Sequence, residues 1–318
     1  MEKAIAPNKI LSHIDRICGS QAPITADVFL DNYCNNACPY CTYRRWELDD
    51  GARFMPFDDF VKYASRLRKL GVQGIILTGG GEPTISKDFE RITYWLNEHD
   101  IPYGINTNWN RYVYCKPRYL KVSLDGWDED SYEKSRGVRA YNQVRENILR
   151  YAAEKPLTTN LGIQLLASNA DDVFGFWEGN HDLPVDYIVM RPVESTNGSY
   201  YKQNLTGNQN PHRIIEAIKK VAEVDDRVIL NFKWGMLDKT FEHCVGQWSQ
   251  IALNEIGEVM YCCHKPYQIV GHIMDDDILW KKRTALTDMS MCDVPCRLTS
   301  VNANLEMLSH KAKDFEFI

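Results

Sequence analysis

The sequence predicts an α/β protein: a partial, TIM-like (β/α)6 barrel followed by a small C-terminal α+β domain made of a hairpin and a helix. Between residues 24 and 190, buried-strand patterns alternate with helical patterns six times. Such repeats form parallel strands joined by right-handed crossovers. After Arg191 the alternation stops and a hairpin pattern follows. We therefore expect an extension at 1–23, the barrel at 24–235 and the second domain at 236–318.

The elements follow from apolar periodicity and from the turn residues between them. Strands are expected at 24–30, 74–77, 103–106, 119–123, 160–166 and 187–190, and helices at 57–70, 88–99 and 211–223, with further helical stretches from 129 and 141. Residues 194–210 predict a long loop at the barrel mouth, which is either a disordered segment or a lid over the substrate. A hairpin is expected at 250–254 and 258–262, and a closing helix at 296–311.

Composition and charge exclude several classes of protein. The 318 residues are 44% apolar and 25% charged, which is typical of a globular protein, and the net charge of −6 argues against binding to a nucleic-acid backbone. No signal peptide and no 18-residue apolar run occurs, so we expect a cytoplasmic protein that does not bind membranes. In a reducing compartment, the ten cysteines are expected to be metal ligands more often than disulfides.

Three cysteines near the start carry the main functional signal. Cys34, Cys38 and Cys41 have the spacing Cys-x3-Cys-x2-Cys, and no fourth cysteine lies in the same loop. Three thiolates at this spacing suit three corners of a four-iron, four-sulfur cube, which leaves one iron open to another ligand. A zinc site is the alternative, but structural zinc needs a fourth protein ligand nearby.

Polar motifs follow three further predicted strands, where a barrel places its active site. Gly80-Gly81-Glu82-Pro83 follows the second strand, Asn106-Thr107-Asn108 the third and Ser123-Leu124-Asp125-Gly126 the fourth. Glycines allow a ligand close to the backbone, and carbonyls with a carboxylate suit an ammonium group. A serine and an aspartate at a strand end suit sugar hydroxyls, although Asp125-Gly126 also fits a simple turn.

These motifs together resemble the radical S-adenosylmethionine (radical SAM) superfamily over residues 24–192. The signature Cys-x3-Cys-x-aromatic-Cys is filled by Cys34, Cys38, Tyr40 and Cys41. The resemblance implies a [4Fe–4S] cluster on the three cysteines, with SAM on the open iron. It assigns SAM contacts to Tyr40, Gly80, Gly81, Glu82, Asn106, Asn108, Ser123, Asp125, Arg136, Gln164 and Arg191. For Arg136, an ordinary surface arginine is an equal alternative.

The same resemblance implies the chemistry. An electron from the reduced cluster breaks the S–C5′ bond of SAM, and the 5′-deoxyadenosyl radical removes a hydrogen atom from a substrate C–H bond. The protein orients cofactor and substrate and excludes water. A flavodoxin or a ferredoxin is expected to supply the electron.

Five further cysteines, here called the C-terminal cysteines, occupy the last quarter of the chain. They are Cys244, Cys262, Cys263, Cys292 and Cys296. Their order resembles the twitch extension of radical SAM enzymes, a short form of the SPASM domain. The resemblance implies one auxiliary [4Fe–4S] cluster on Cys244, Cys262, Cys292 and Cys296, with Cys263 able to replace Cys262. A structural zinc site and unrelated buried thiols are the alternatives.

A fully ligated auxiliary cluster favours oxidation of a small polar molecule, such as a sugar, aminocyclitol, nucleoside or modified base. A peptide maturase that crosslinks, epimerises or oxidises a peptide is the second interpretation, and a non-catalytic iron–sulfur electron carrier the third. Candidate acids for proton transfer are Asp125, Glu194 and Asp293, and nothing in the sequence ranks them. The substrate, the fate of SAM and the oligomeric state are not readable from the sequence.

Overall fold

A computed structural model of the chain describes residues 23–41, 43, 51–193, 211–230, 244, 246–263, 265–287 and 302. Its strands are β1 (Thr25–Phe29), β2 (Gly74–Thr78), β3 (Tyr103–Thr107), β4 (Tyr119–Ser123), β5 (Asn160–Ala167), β6 (Tyr187–Pro192), β7 (Gln250–Leu253), β8 (Glu258–Met260) and β9 (Ile269–His272). Its helices are α1 (Phe57–Lys69), α2 (Phe89–Glu98), α3 (Glu129–Arg136), α4 (Tyr141–Glu154), α5 (Ala170–Asn180), α6 (Pro211–Val224) and α7 (Ile278–Thr284).

The strands form one sheet in the order β6-β5-β4-β3-β2-β1-β7-β8-β9. Strands β1 to β6 are parallel and pair with their neighbours along the chain. Helices connect most of them, so the carboxyl ends of all six strands lie at one edge. The predicted α/β class and the partial TIM-like barrel are confirmed.

The C-terminal hairpin extends the barrel sheet. Strand β7 pairs in parallel with β1, with Thr25 opposite Gln250, and β8 pairs antiparallel with β7. The hairpin matches the one expected from the sequence, whereas β9 and α7 were not predicted. Strand β1, after which the first three cysteines follow, is therefore separated by β7 from β8, the strand that precedes Cys262 and Cys263. The domain boundaries at 23 and 235 remain predictions.

Alternation along the strands separates a packed face from a concave one. On β4, Leu120 and Val122 are fully buried in the main apolar core with the helices, whereas Lys121 and Ser123 lie on the opposite, half-buried face. We call this opposite side of β1–β6 the concave face. The expected loop at 194–210 and most of the expected closing helix lie outside the described residues. None of the described helices has the length and hydropathy to span a membrane.

Gly137 joins the end of α3 to the segment that carries the first cysteines. It caps α3 with φ +72°, a left-handed conformation that favours glycine. The backbone oxygen of Arg136 accepts a hydrogen bond from Ala37 N at 2.9 Å. A Cβ atom on Gly137 would overlap the backbone carbonyl of Ala37. Glycine is therefore required here both by its dihedral angle and by close backbone contact.

We expect Gly137→Ala to destabilise the protein more than Gly51→Ala. Gly51 has nearly the same φ, +71°, but a Cβ atom added there would have no atom of the described residues within 4 Å. The control should lose about 1 kcal/mol from dihedral strain alone. Gly137→Ala should lose a further ~1–3 kcal/mol because the methyl group overlaps the Ala37 backbone. Urea unfolding measures both, and equal losses would contradict the close contact.

Candidate functional site

Residues 34–41, here called the cysteine loop, leave the carboxyl end of β1 and are held by backbone and amide hydrogen bonds. Cys41 N donates to Cys38 O at 3.1 Å. Asn108, which follows β3, donates from Nδ2 to the side-chain oxygens of Asn35 at 2.7 Å and Asn36 at 3.1 Å. Asn35 and Asn36 were not singled out from the sequence, although two adjacent asparagines inside the loop were a usable signal. The residue that follows β3 thus helps to fix the conformation of the cysteine loop.

The sulfurs of Cys34 and Cys38 accept hydrogen bonds. Cys34 Sγ accepts from Asn36 N at 3.4 Å and lies 3.8 Å from Asn108 Nδ2, and Cys38 Sγ accepts from Arg136 Nη1 at 3.4 Å. Burial, and then the Glu82 charge, raises the pKa of the Cys34 thiol, and Cys38 and Cys41 are close enough to add to the rise. Donors aimed at sulfur suit thiolates, so these residues fit an iron–sulfur cluster.

The described cysteine side chains are not arranged like the ligands of a single metal ion. Within the described part of the chain, no three His, Cys, Asp or Glu side chains are placed to hold one metal ion. A [4Fe–4S] cluster takes each thiolate on a separate iron.

Arg136 and Asp125 form a buried ion pair behind the cysteine loop. Arg136 Nη2 lies 2.5 Å from Asp125 Oδ2 and donates to Ser123 O at 2.6 Å. Tyr40 OH donates to the same carboxylate at 2.8 Å, and Leu166 N donates to its other oxygen at 2.6 Å. Both carboxylate oxygens of Asp125 are therefore engaged by the protein.

This network changes the interpretation of three predicted residues. Burial raises the pKa of the Tyr40 hydroxyl, against the lowering effect of the Arg136 charge, so Tyr40 is a neutral donor. Burial lowers the pKa of Arg136, but the charges of Asp125, Tyr40 and Cys38 together raise it by more, so the guanidinium stays charged. Arg136 is not a surface arginine. The structure directs it toward Cys38 and Asp125, and Asp125 accepts three donors in a closed network.

Glu82 ties the Gly-Gly-Glu-Pro segment to the end of β3. Its carboxylate is 3% exposed and accepts from Thr107 Oγ1 at 2.5 Å and from Asn108 N at 2.7 Å. Thr84 donates to it from both its amide and its hydroxyl, at 3.0 Å and 2.7 Å. Burial raises the pKa of Glu82, and these donors oppose the rise. The side chain therefore braces two loops from inside the protein.

Asp31 is a buried acid that the sequence did not single out. It follows β1 just before the cysteine loop, and its buried carboxylate is near the backbone N–H groups of Tyr33 and Glu82, which act to lower its pKa. Burial, and then the charge of Glu82, raises the pKa of Asp31 to about 9. A Cβ atom on Gly81 would overlap Asp31 Oδ1, so the glycine in the motif permits this close approach.

The remaining predicted SAM contacts lie on the concave face. Asn106 of β3 stands beside Lys121 of β4 in the strand register, and Ser123 of β4 stands beside Gln164 of β5. Arg191 of β6 lies opposite Leu166, nearer the carboxyl edge. The buried Oδ1 atom of Asn106 accepts no hydrogen bond from any described residue. It is therefore placed to accept one from a ligand.

Three of the C-terminal cysteines are described, and two are buried. Cys262 and Cys263 follow β8, and Cys244 precedes the 3-10 turn Gly246–Ser249. Tyr43, two residues after Cys41, donates through its hydroxyl to Cys263 O. Its ring contacts Phe29 edge-on with a centroid distance of 5.1 Å. Cys292, Cys296 and the candidate acids Glu194 and Asp293 lie outside the described residues.

Lys282 is a second residue that sequence reasoning missed. It is 0% exposed, and its ammonium donates to the carbonyl oxygen of Tyr261, next to Cys262. The spacing held a usable signal, because Lys282 follows the buried Ile278 by four residues on one helix face. Basic residues surrounding it in sequence made it look like an ordinary charged helix end.

A parallel barrel with a three-cysteine loop after its first strand defines a barrel-type iron–sulfur enzyme. Residues 29–172, a little under half of the chain, match the sequence model of the radical SAM superfamily. The match confirms the resemblance predicted for this segment, and the superfamily consists of enzymes that use a [4Fe–4S] cluster and SAM.

Curated relatives carry the name GTP 3′,8-cyclase. A probable GTP 3′,8-cyclase of Pyrococcus horikoshii is 31% identical over 189 residues, which are 55% of this chain and 59% of the relative. A GTP 3′,8-cyclase of Staphylococcus saprophyticus is 26% identical over 184 residues, 52% and 53% of the two chains. The chain thus spans a little over half the length of the curated relatives it matches.

Solved structures with bound S-adenosylmethionine share the fold. The structure of anSMEcpe with AdoMet matches with a TM-score of 0.63 and 13% identity, over 88% of each chain. Streptococcus suis SuiB bound to S-adenosylmethionine matches with a TM-score of 0.61 and 13% identity, over 96% of this chain and 73% of SuiB. At this identity the likeness shows the fold alone.

We expect Asp31→Asn to flatten the pH dependence of stability. The pKa of Asp31 is raised from 3.8 to about 9 on folding, so between these values the folded state binds more protons than the unfolded state. The contribution of Asp31 to the free energy of unfolding is therefore fully present below about pH 4 and is lost as the pH rises toward 9. Urea unfolding across this range should show a smaller decline in Asp31→Asn. The exposed Asp276→Asn serves as control, and an unchanged decline in Asp31→Asn would contradict the raised pKa.

Proposed function

We propose that the chain reductively cleaves SAM at the cysteine loop and removes hydrogen from a substrate C–H bond above the concave face. The observation that carries this proposal is the set of donors to Cys34 and Cys38 at the carboxyl end of β1. Cys34, Cys38 and Cys41 would hold the cluster. With SAM bound, this cofactor supplies a 5′-deoxyadenosyl radical.

The protein's own residues hold and shield this site. Arg136 neutralises charge at Cys38 and is itself fixed by Asp125, while Tyr40 closes the network from within the cysteine loop. Glu82 fixes the Gly-Gly-Glu-Pro segment, whose backbone would receive the SAM amino group. Asn106, Ser123, Gln164 and Arg191 would complete the SAM pocket. Burial of the network excludes water from the loop's inner side.

For the net reaction, we propose oxidation of a small polar molecule. Cys244, Cys262, Cys292 and Cys296 would hold an auxiliary cluster, which would supply an electron acceptor. Cys262 and Cys263 are buried directly after β8, in the hairpin that extends the barrel sheet beyond β1, which supports a second centre beside the barrel. A flavodoxin or a ferredoxin would supply the first electron.

Two other substrate classes have support of a different kind. The relatives named GTP 3′,8-cyclase favour cyclisation of a purine nucleotide, although they match over only part of their length. A solved structure of SuiB bound to the precursor peptide SuiA shares the fold with a TM-score of 0.58, which keeps peptide maturation as an alternative. Incubation with sugars and nucleosides, GTP and peptides, followed by mass spectrometry, separates the three.

We expect Cys34→Ala, Cys38→Ala and Cys41→Ala each to abolish 5′-deoxyadenosine formation from SAM. Each thiolate holds one iron, so its loss prevents assembly of the SAM-binding cluster. Cys115→Ala is the matched control, because Cys115 is a buried cysteine outside both groups. Cys262→Ala should retain most SAM cleavage while losing product. The measurement is anaerobic turnover with dithionite, and 5′-deoxyadenosine formation in any of the first three variants would contradict the assignment.

The number of clusters is tested by iron and acid-labile sulfide in anaerobically reconstituted protein. We expect about eight irons in the intact chain and about four in a Cys34/Cys38/Cys41→Ala triple variant. About four irons falling to none would leave the C-terminal cysteines without a cluster and would favour redox-neutral radical chemistry.

A further inference from the structure

A buried lysine stands among the C-terminal cysteines. Lys282 lies on α7 one turn after Ile278, and both side chains are fully buried. The preceding residue, Lys281, points outward and pairs with Asp275 at 2.9 Å and Asp277 at 3.0 Å. One helix thus carries adjacent lysines in opposite surroundings, one paired at the surface and one inside the protein.

The polar contacts of Lys282 leave its charge uncompensated by carboxylates. Its Nζ donates to Tyr261 O and lies 3.4 Å from Met260 O, and it stands 5.4 Å from the Tyr261 ring centroid. Within the described part of the chain, no carboxylate forms an ion pair with Lys282. Carbonyl oxygens are dipoles and only partly offset the cost of burying an ammonium group.

The carbonyl that Lys282 binds belongs to Tyr261, the residue directly before Cys262, so the ammonium lies beside the backbone of the C-terminal cysteines. Burial lowers the pKa of Lys282 to about 8, and the charges that oppose this lowering come first from Cys262, then from Cys244 and Cys263. Asp27 on β1 contributes less than these sulfurs. Among the groups that favour the charged form of Lys282, the cysteines therefore come before the carboxylate.

The other polar groups around these sulfurs are also donors. Asn302 Nδ2 donates to Cys244 Sγ at 3.3 Å, and Gln250 Nε2 lies 3.9 Å from Cys263 Sγ. Neutral thiols are weak acceptors that would not balance a buried cation. Thiolates bound to iron carry the charge that such surroundings compensate.

We infer that Lys282 is the buried counter-charge of the iron–sulfur centre at the C-terminal cysteines and raises its reduction potential. This inference rests on the auxiliary cluster of the proposed function. A fixed positive charge favours the reduced cluster, because reduction adds one negative charge in a poorly solvated site. The chain would thereby make the second centre a better electron acceptor. Lys282 is a positioning and tuning residue, not a catalytic one.

The test uses Lys282→Gln, which keeps an N–H donor for the carbonyls and removes the charge. Lys282→Arg keeps the charge, and Lys281→Gln removes one positive charge from the surface of the same helix. All are made in the full chain carrying the Cys34/Cys38/Cys41→Ala triple substitution, so that only the second centre is present. The reduction potential is read by dithionite titration followed with electron paramagnetic resonance.

We expect Lys282→Gln to lower the equilibrium constant for one-electron reduction at least tenfold, a shift of about 59 mV to more negative potential. Lys282→Arg and Lys281→Gln should remain close to the parent. An unchanged potential in iron-loaded Lys282→Gln overturns the inference and leaves the proposed function standing. Absence of iron from the triple variant itself contradicts the auxiliary cluster, and the inference with it.

A second measurement separates counter-charge from structural bracing. Thermal unfolding is compared with iron bound and after its removal by a chelator. A counter-charge predicts that Lys282→Gln destabilises the iron-loaded protein and not the iron-free protein, because the buried cation then lacks its anions. Equal destabilisation in both states, or no folded Lys282→Gln in either state, shows that the lysine braces the fold and overturns the inference.

Discussion

The buried ion pair between Arg136 and Asp125 is the constraint on which the candidate site depends. It links the end of α3 to the loop after β4, and through Arg136 it reaches Cys38. Removing either partner would leave an uncompensated charge in an interior with little water, which costs more than the pair gains. The cysteine loop therefore takes its position from charge pairing inside the barrel as well as from its own short sequence.

The sheet carries both sets of cysteines on strands that are separated only by β7. The cysteine loop leaves β1, and the hairpin β7–β8, which pairs with β1, ends at Cys262. The pairing of β7 with β1 thus brings segments that are far apart in the sequence into one sheet. The first set is surrounded by Asn108 and Arg136, the second by Asn302, Gln250 and Lys282. Both environments favour negative sulfur, although different elements build them.

The sequence allowed the barrel and its polar edge to be predicted, because buried runs such as β2 end in glycine-rich turns with clear boundaries. Strand β9 was missed because it is a short, partly exposed edge strand. The roles of Asp125 and Glu82 could not be read in the same way. Asp125 meets Tyr40 across 85 residues, and Glu82 accepts donors from the next strand. Local patterns mark such residues as polar but do not show which partners tertiary packing gives them.

The Tyr43 hydroxyl donates a hydrogen bond to the Cys263 carbonyl and so joins the two cysteine-bearing segments. Tyr43 follows Cys41 by two residues, and Cys263 is bonded directly to Cys262. This hydrogen bond therefore couples the position of the segment after Cys41 to that of Cys262 and Cys263. Ordering of either segment during maturation therefore restrains the conformation of the other.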